Sequence, residues 1–176
     1  MDVEEAVQAI TESEAEVVVM GGTYSPTAKF VRLVKSQKPN MIFHSVSFVG
    51  PEEFVTELEG HTENVFVTQV VPPLYQTELL DSVEKYNENL AKYYPGESPS
   101  FEGLEGFVNA KVLVEGLRRC GGNLTREGLI EALESIRDYS AGIGAAVTFG
   151  ENDHQGLDKV YLTAIEDGNF IFIYVK

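Results

Sequence analysis

Apolar and polar residues alternate in blocks along the N-terminal part of the chain, each block about one element long. Val17-Val18-Val19-Met20 is a short apolar run that predicts a buried strand. Gly21-Gly22 follows, and glycine lets a backbone turn sharply or approach a ligand closely. Ser25 then predicts a helix cap and Pro26 the first helical position, where a missing N–H does no harm. Phe30, Leu33 and Val34 share one face of that helix.

The unit recurs. Met41 to Val46 predicts a second buried strand, Ser47-Phe48-Val49-Gly50 its exit loop, and Pro51 the start of a helix to about Glu59. Val65 to Val70 predicts a third strand, leaving through Val71-Pro72-Pro73. Before them, Val3, Ala6, Val7 and Ile10 form one helical stripe. An α-β-α-β-α-β order implies a parallel sheet with right-handed crossovers. Its exit loops, 21–25, 44–50 and 69–75, then share the carboxyl edge, where open α/β sheets bind ligands. Thr23, Tyr24, Ser47, Phe48 and Gln69 fall within reach of one ligand there.

From Pro72 the period lengthens. Thr77 to Tyr93 predicts a helix with Leu79, Val83, Tyr86 and Leu90 on one face. Ser98-Pro99-Ser100 starts another, running to Arg119, with a wide apolar side of Phe101, Leu104, Phe107, Val108, Val112 and Leu113. Gly121-Gly122 stops it. Thr125 caps a third, with Leu129, Ile130, Leu133 and Ile136 expected inside. Lys159–Ile165 and Asn169–Val175 predict strands around Asp167-Gly168, a strong hairpin signal.

Charge narrows the partners. The chain carries 13 basic and 28 acidic side chains, a net of −15, which argues against nucleic acid. Arg118-Arg119 reads as cations at a helix C-terminus. A lone Cys120 excludes an intramolecular disulfide. No run approaches the ~20 apolar residues needed to span a bilayer. Gly142-Ile143-Gly144 imitates half a dinucleotide fingerprint, but a strand follows it rather than precedes it. Glu151, Asp153 and His154 are metal ligands by type only, too close in sequence to close a site. His44 reads as a satisfied histidine, and the Asn123-Leu124-Thr125 sequon as a helix cap. No nucleophile–base set has supporting spacing, so nothing positive favours an enzyme. The reading calls for no metal and no cofactor.

VVVMGGTYSPTAKFVRLVK, IFHSVSFVGPEEF, NVFVTQVVPP, SPSFEGLEGFVNAKVLVEGLRR, LTREGLIEALESI and VTFGENDHQGLDKVYLTAI, in that order, resemble one family. It is the type I periplasmic solute-binding proteins, specifically the branched-chain amino-acid (Leu/Ile/Val) binding group of ABC transporters. The resemblance implies flavodoxin-like, doubly wound α/β lobes that close on a small polar solute, with a membrane permease as partner and a periplasmic or extracellular location. It covers nearly the whole chain but only the C-terminal half of such a protein. By that mapping, residues 1–70 and about 159–176 belong to the second lobe, and 71–158 to the returning, mainly helical part of the first. The chain is then expected to be a fragment, its signal sequence, the first lobe's opening units and the first strand and helix of the second lobe lying before Met1. Such a fragment would expose the apolar side of the 100–119 helix and self-associate, face to face or by exchange of the 77–119 helices.

The resemblance also assigns roles. Tyr24 is a candidate hydrogen-bonding partner of the solute or a surface aromatic. Thr23 and the N–H groups of the following helix suit a carboxylate. Ser47 stands where amino-acid binders of this family place an acid for the ligand ammonium, a departure that points to a carboxylate or amide solute instead. Phe48 lines the cleft or the core. Gln69 is a hinge residue or a ligand donor. Two alternatives stay open: the same fold as the extracellular ligand-sensing domain of a signalling receptor, and, more distantly, a flavodoxin-like regulator or enzyme.

Overall fold

The computed structural model describes residues 2–75, 78, 80–122 and 124–173. It contains two compact units, Met1–Val70 with Val160–Lys176, and Val71–Lys159.

The first unit is an α/β layer. Its elements are α1 (Glu4–Glu12), β1 (Val17–Met20), α2 (Tyr24–Lys35), β2 (Ile42–Val46), a 3-10 turn (Ser47–Val49), α3 (Pro51–Glu57) and β3 (Val65–Gln69). The late hairpin adds β6 (Tyr161–Glu166) and β7 (Asn169–Phe172). The sheet order is β1-β2-β3-β6-β7. β1, β2 and β3 run parallel, in register Val19↔His44 and His44↔Phe66. β6 joins β3 antiparallel through Val67↔Thr163 and Gln69↔Tyr161, and β7 returns against β6. Asp167 (φ 49°) and Gly168 (φ 76°) make the tight turn between them.

Three parallel strands advancing in one direction put their right-handed crossovers on one face. Val7 of α1, Val31 and Val34 of α2 and Phe54 of α3 pack accordingly with Met20, Phe43, Val65, Val67 and Ile165. Each fully buried Val or Phe there contributes about 1.5–3 kcal/mol relative to exposure. The other face differs from expectation. Val17 and Val19 were expected to be buried, yet they are 51% and 72% exposed, and Ile42, Val46 and Ile171 share that open face. An apolar run at an edge buries only alternate residues when one face has cover, and here those are Val18, half-buried, and Met20.

The second unit contains α4 (Asp81–Tyr93), α5 (Phe101–Cys120), α6 (Arg126–Glu134), β4 (Tyr139–Ser140) and β5 (Ala146–Val147). The predicted first turn of α4 is absent from Leu80, which is its N-cap, while Thr77 and Leu79 lie outside the described residues. Asn123 of the sequon and the 174–175 end of the predicted last strand also lie outside them. Ser100 and Thr125 cap α5 and α6 as expected, accepting from the N–H groups of Gly103 and Gly128 at 3.0 Å each. α6 buries Gly128 and Ala132, with Ile136 buried just beyond its end, leaves Leu129 and Leu133 half-buried, and exposes Ile130, which sequence spacing had put inside. The small residues win because α5 and α6 approach closely: a Cβ on Gly116 would stand 2.6 Å from Leu133. Lys111 ties the unit together, donating to Ser82 Oγ at 2.6 Å and to the Ala141 carbonyl at 3.0 Å. The β4–β5 pair, Tyr139↔Val147, is too short to carry a strand period in the sequence.

Candidate solute site at the carboxyl edge

The site is built where β1, β2 and β3 end. After Met20 the chain turns through Gly21-Gly22, and a Cβ on Gly22 would stand 2.9 Å from Thr27 Oγ1, so this turn is tight. α2 begins at Tyr24 with Thr23 as N-cap; Ser25 and Pro26, expected as cap and first residue, sit inside the first turn. The helix starts earlier because Thr23 already has extended dihedrals (φ −77°, ψ 163°) and its carbonyl accepts the first helical bond, from Thr27. Among the described residues no side chain caps this end, and no acid lies in its first turn. Its Tyr24 and Ser25 N–H groups precede the first intrahelical donor, so the end carries positive potential toward the loop.

β2 ends at Val46 and passes into the Ser47–Val49 turn, closed by Gly50 N–H donating to the Ser47 carbonyl at 3.3 Å. Gly50 has φ 77°, a left-handed conformation suited to glycine. Here the first two loops meet. Tyr24 Cδ1 lies 3.3 Å and Glu53 Oε2 3.6 Å from the position of a Cβ on Gly50. Ser47 is half-buried. Phe48 is 72% exposed, which excludes the core alternative for it.

β3 ends at Gln69, whose side chain shares the helix-covered face with Val65 and Val67. Gln69 is 0% exposed, and neither end of its amide has a hydrogen-bond partner among the described residues. Across the pair stands Tyr161, buried beside Phe172, and burial raises its phenol above the usual tyrosine range. On the opposite face His44 Nε2 meets Thr68 Oγ1 at 2.5 Å, so His44 is satisfied, as expected.

The structure thus brings Tyr24 to the β2 exit loop, keeps Thr23 and Phe48 exposed, and encloses Gln69. Sequence reasoning missed Glu53; its signal was the Pro51-Glu52-Glu53 opening of α3, which faces back over the loop before it. In the second unit His154 pairs with Glu134 at 2.8 Å and Asp153 accepts from the Gln155 N–H, so these residues have protein partners.

Known proteins share this fold. The family described as periplasmic binding protein matches residues 1–169. A possible leucine/isoleucine/valine-binding protein from Rhodopirellula baltica is 30% identical, with TM-score 0.91, over 98% of this chain and 47% of its own. A substrate-binding periplasmic protein from Ralstonia solanacearum is 26% identical, with TM-score 0.84, over 98% of this chain and 49% of its own. A fatty acid ABC transporter substrate-binding protein from Thermomonospora curvata, 22% identical, shares the fold with TM-score 0.83 over 98% of this chain and 46% of its own. No curated protein matches the chain significantly. This chain spans about half the length of these relatives. No helix among the described residues is long and apolar enough to cross a membrane. With a parallel-rich α/β sheet whose exit loops meet at one edge, and a family match over nearly its full length, the chain belongs to the periplasmic binding protein family.

Proposed function

We propose that this chain contributes one side of an extracytoplasmic site for a small polar solute, serving an ABC uptake transporter. The observation that carries the reading is the meeting of Tyr24 with the Gly50 loop beside an uncapped helix N-terminus. A tyrosine hydroxyl, Ser47 and the first N–H groups of α2 are hydrogen-bond donors gathered at one sheet edge, a set suited to a carboxylate or amide. Thr23 borders that donor set. Phe48 offers an apolar ring to the non-polar part of the solute, and Gln69 an unmet amide enclosed at the end of β3, a hinge or donor position. In this reading the first unit is the second lobe of a two-lobe binder. The second unit is the returning, mainly helical part of the first lobe. The site needs no metal or cofactor, and binding rather than catalysis is its role.

Glu53 favours a second reading. Its carboxylate at the Gly50 turn supplies the acid that Ser47 lacks, so an α-amino acid would place its ammonium there rather than at position 47. A buried ammonium without such a partner would carry a large desolvation cost.

Calorimetry on the full-length protein separates the two. Carboxylate and amide solutes are expected to bind, with Tyr24→Ala and Ser47→Ala each weakening affinity by about tenfold, the loss of roughly one hydrogen bond. Leucine or valine binding abolished by Glu53→Gln supports the second reading. Tight leucine or valine binding indifferent to Tyr24→Ala, Ser47→Ala and Glu53→Gln refutes both.

A further inference from the structure

We propose that an ordered water is enclosed under the carboxyl edge of the first unit's sheet, bridging Ser45 of β2 and Gln69 of β3. Both side chains are fully buried. Gln69 brings an amide neither end of which has a hydrogen-bond partner among the described residues. Ser45 brings a hydroxyl whose bond to the Met20 carbonyl is stretched to 3.5 Å, longer than the about 2.5–3.0 Å of an ordinary O–H···O bond. Both amide ends are closed off from solvent within this chain, so a group from elsewhere in a longer protein reaches them only by displacing residues already in place.

The register brings the two residues together. Ser45 pairs with Val67, and Gln69 lies two residues further along β3 on the same helix-covered face. Strands about 4.8 Å apart that rise about 3.3 Å per residue set the Ser45 and Gln69 Cα atoms roughly 8 Å apart. A short serine does not span that gap by itself, but a glutamine side chain and one water together close it.

Size and donor count select water as the occupant. Ser45 is the smallest side chain on that face, set among Met20, Phe43, Val65 and Val67, so the room falls beside it. On the other side of β3, Thr163 has spent its hydroxyl proton on the Val67 carbonyl at 2.7 Å and has none to give to Gln69. A water accepts from the Ser45 hydroxyl and donates one proton to Gln69 Oε1. Its second proton goes to the Met20 carbonyl, which the serine reaches only poorly. Three hydrogen bonds are usual for a buried water. This one meets the oxygen end of the amide and leaves Nε2 unmet.

High-resolution diffraction from the solute-free full-length protein tests this. A well-ordered water is expected within about 3.2 Å of both Ser45 Oγ and the Gln69 amide. Oxygen-17 relaxation dispersion in solution should count one long-lived water fewer in Gln69→Leu than in the wild type. If that variant fails to fold, Ser45→Ala replaces it with the same expected loss. Wild-type density that shows no water there, or the Gln69 amide bonded directly to a protein group, overturns the proposal. So does a water that persists in the folded Gln69→Leu protein, or an unchanged number of long-lived waters.

Discussion

The ring of Tyr24 rests against Gly50, with Cδ1 3.3 Å from where a Cβ on that glycine would stand. The contact sets the Tyr24 side chain over the β2 exit loop, and Gly50 at φ 77° permits it. Gly50→Ala meets two penalties, a left-handed conformation worth about 1–2 kcal/mol and displacement of the ring. Urea denaturation should show that loss, and Gly50→Asn, which tolerates the conformation better, should lose less. Equal stability of the alanine variant and wild type would refute this account of the loop.

Gln69 buries an amide with no hydrogen-bond partner among the described residues. Unmet polar groups of this kind cost about 1–3 kcal/mol. Gln69→Leu keeps most of the volume and removes the unmet groups. It should therefore be neutral or stabilising in denaturation of the solute-free protein. The same variant should weaken solute binding in the full-length protein. A loss of stability without loss of affinity would make Gln69 structural.

Two glycines of α5 should respond in opposite ways. A methyl added at Gly106 would meet nothing within 4 Å, so Gly106→Ala should stabilise by about 0.5–1 kcal/mol through helix propensity alone. Gly116 faces Leu133 at 2.6 Å and Leu129 at 3.3 Å, measured from the same added position. Gly116→Val should destabilise by about 1–3 kcal/mol through overpacking. Thermal or chemical melts of the pair check the α5–α6 contact directly.

Lys35 is buried, and its ammonium donates to the Glu63 carbonyl. Burial pushes its pKa below 10.5, partly offset by the Glu63 charge. The unfolded chain then binds more protons than the folded one between the lowered value and 10.5. Its contribution to stability accordingly rises with pH through that alkaline interval. Lys35→Met should flatten this rise in denaturation curves taken across alkaline pH, and an unchanged slope would rule Lys35 out as its source.

The long apolar runs made the fold legible, because strand, turn and helix each left their own period in the first unit. The Asp167-Gly168 hairpin was readable for the same reason, since its left-handed backbone admits few residues. What the sequence could not convey was sidedness. Val17, Val18 and Val19 are chemically alike, and only which face the described residues cover separates the exposed from the enclosed. Ile130 followed the same logic, losing its place to Gly128 and Ala132 where two helices pack tightly. At the site, the exit loops were legible from topology. The approach of both Glu53 and Tyr24 to Gly50 was not, because it depends on the turn made there.

β3 and β6 are neighbours in the sheet, yet the whole second unit, Val71–Lys159, lies between them in the chain. A ribosome therefore releases β1, β2 and β3 long before the strand that must flank them exists. During that interval Val65, Val67 and Gln69 border an unfinished sheet, and non-local closures of this kind are slow. The second unit, whose helices contact their sequence neighbours, can form meanwhile. The order of synthesis thus makes the first half of this chain the last to finish folding.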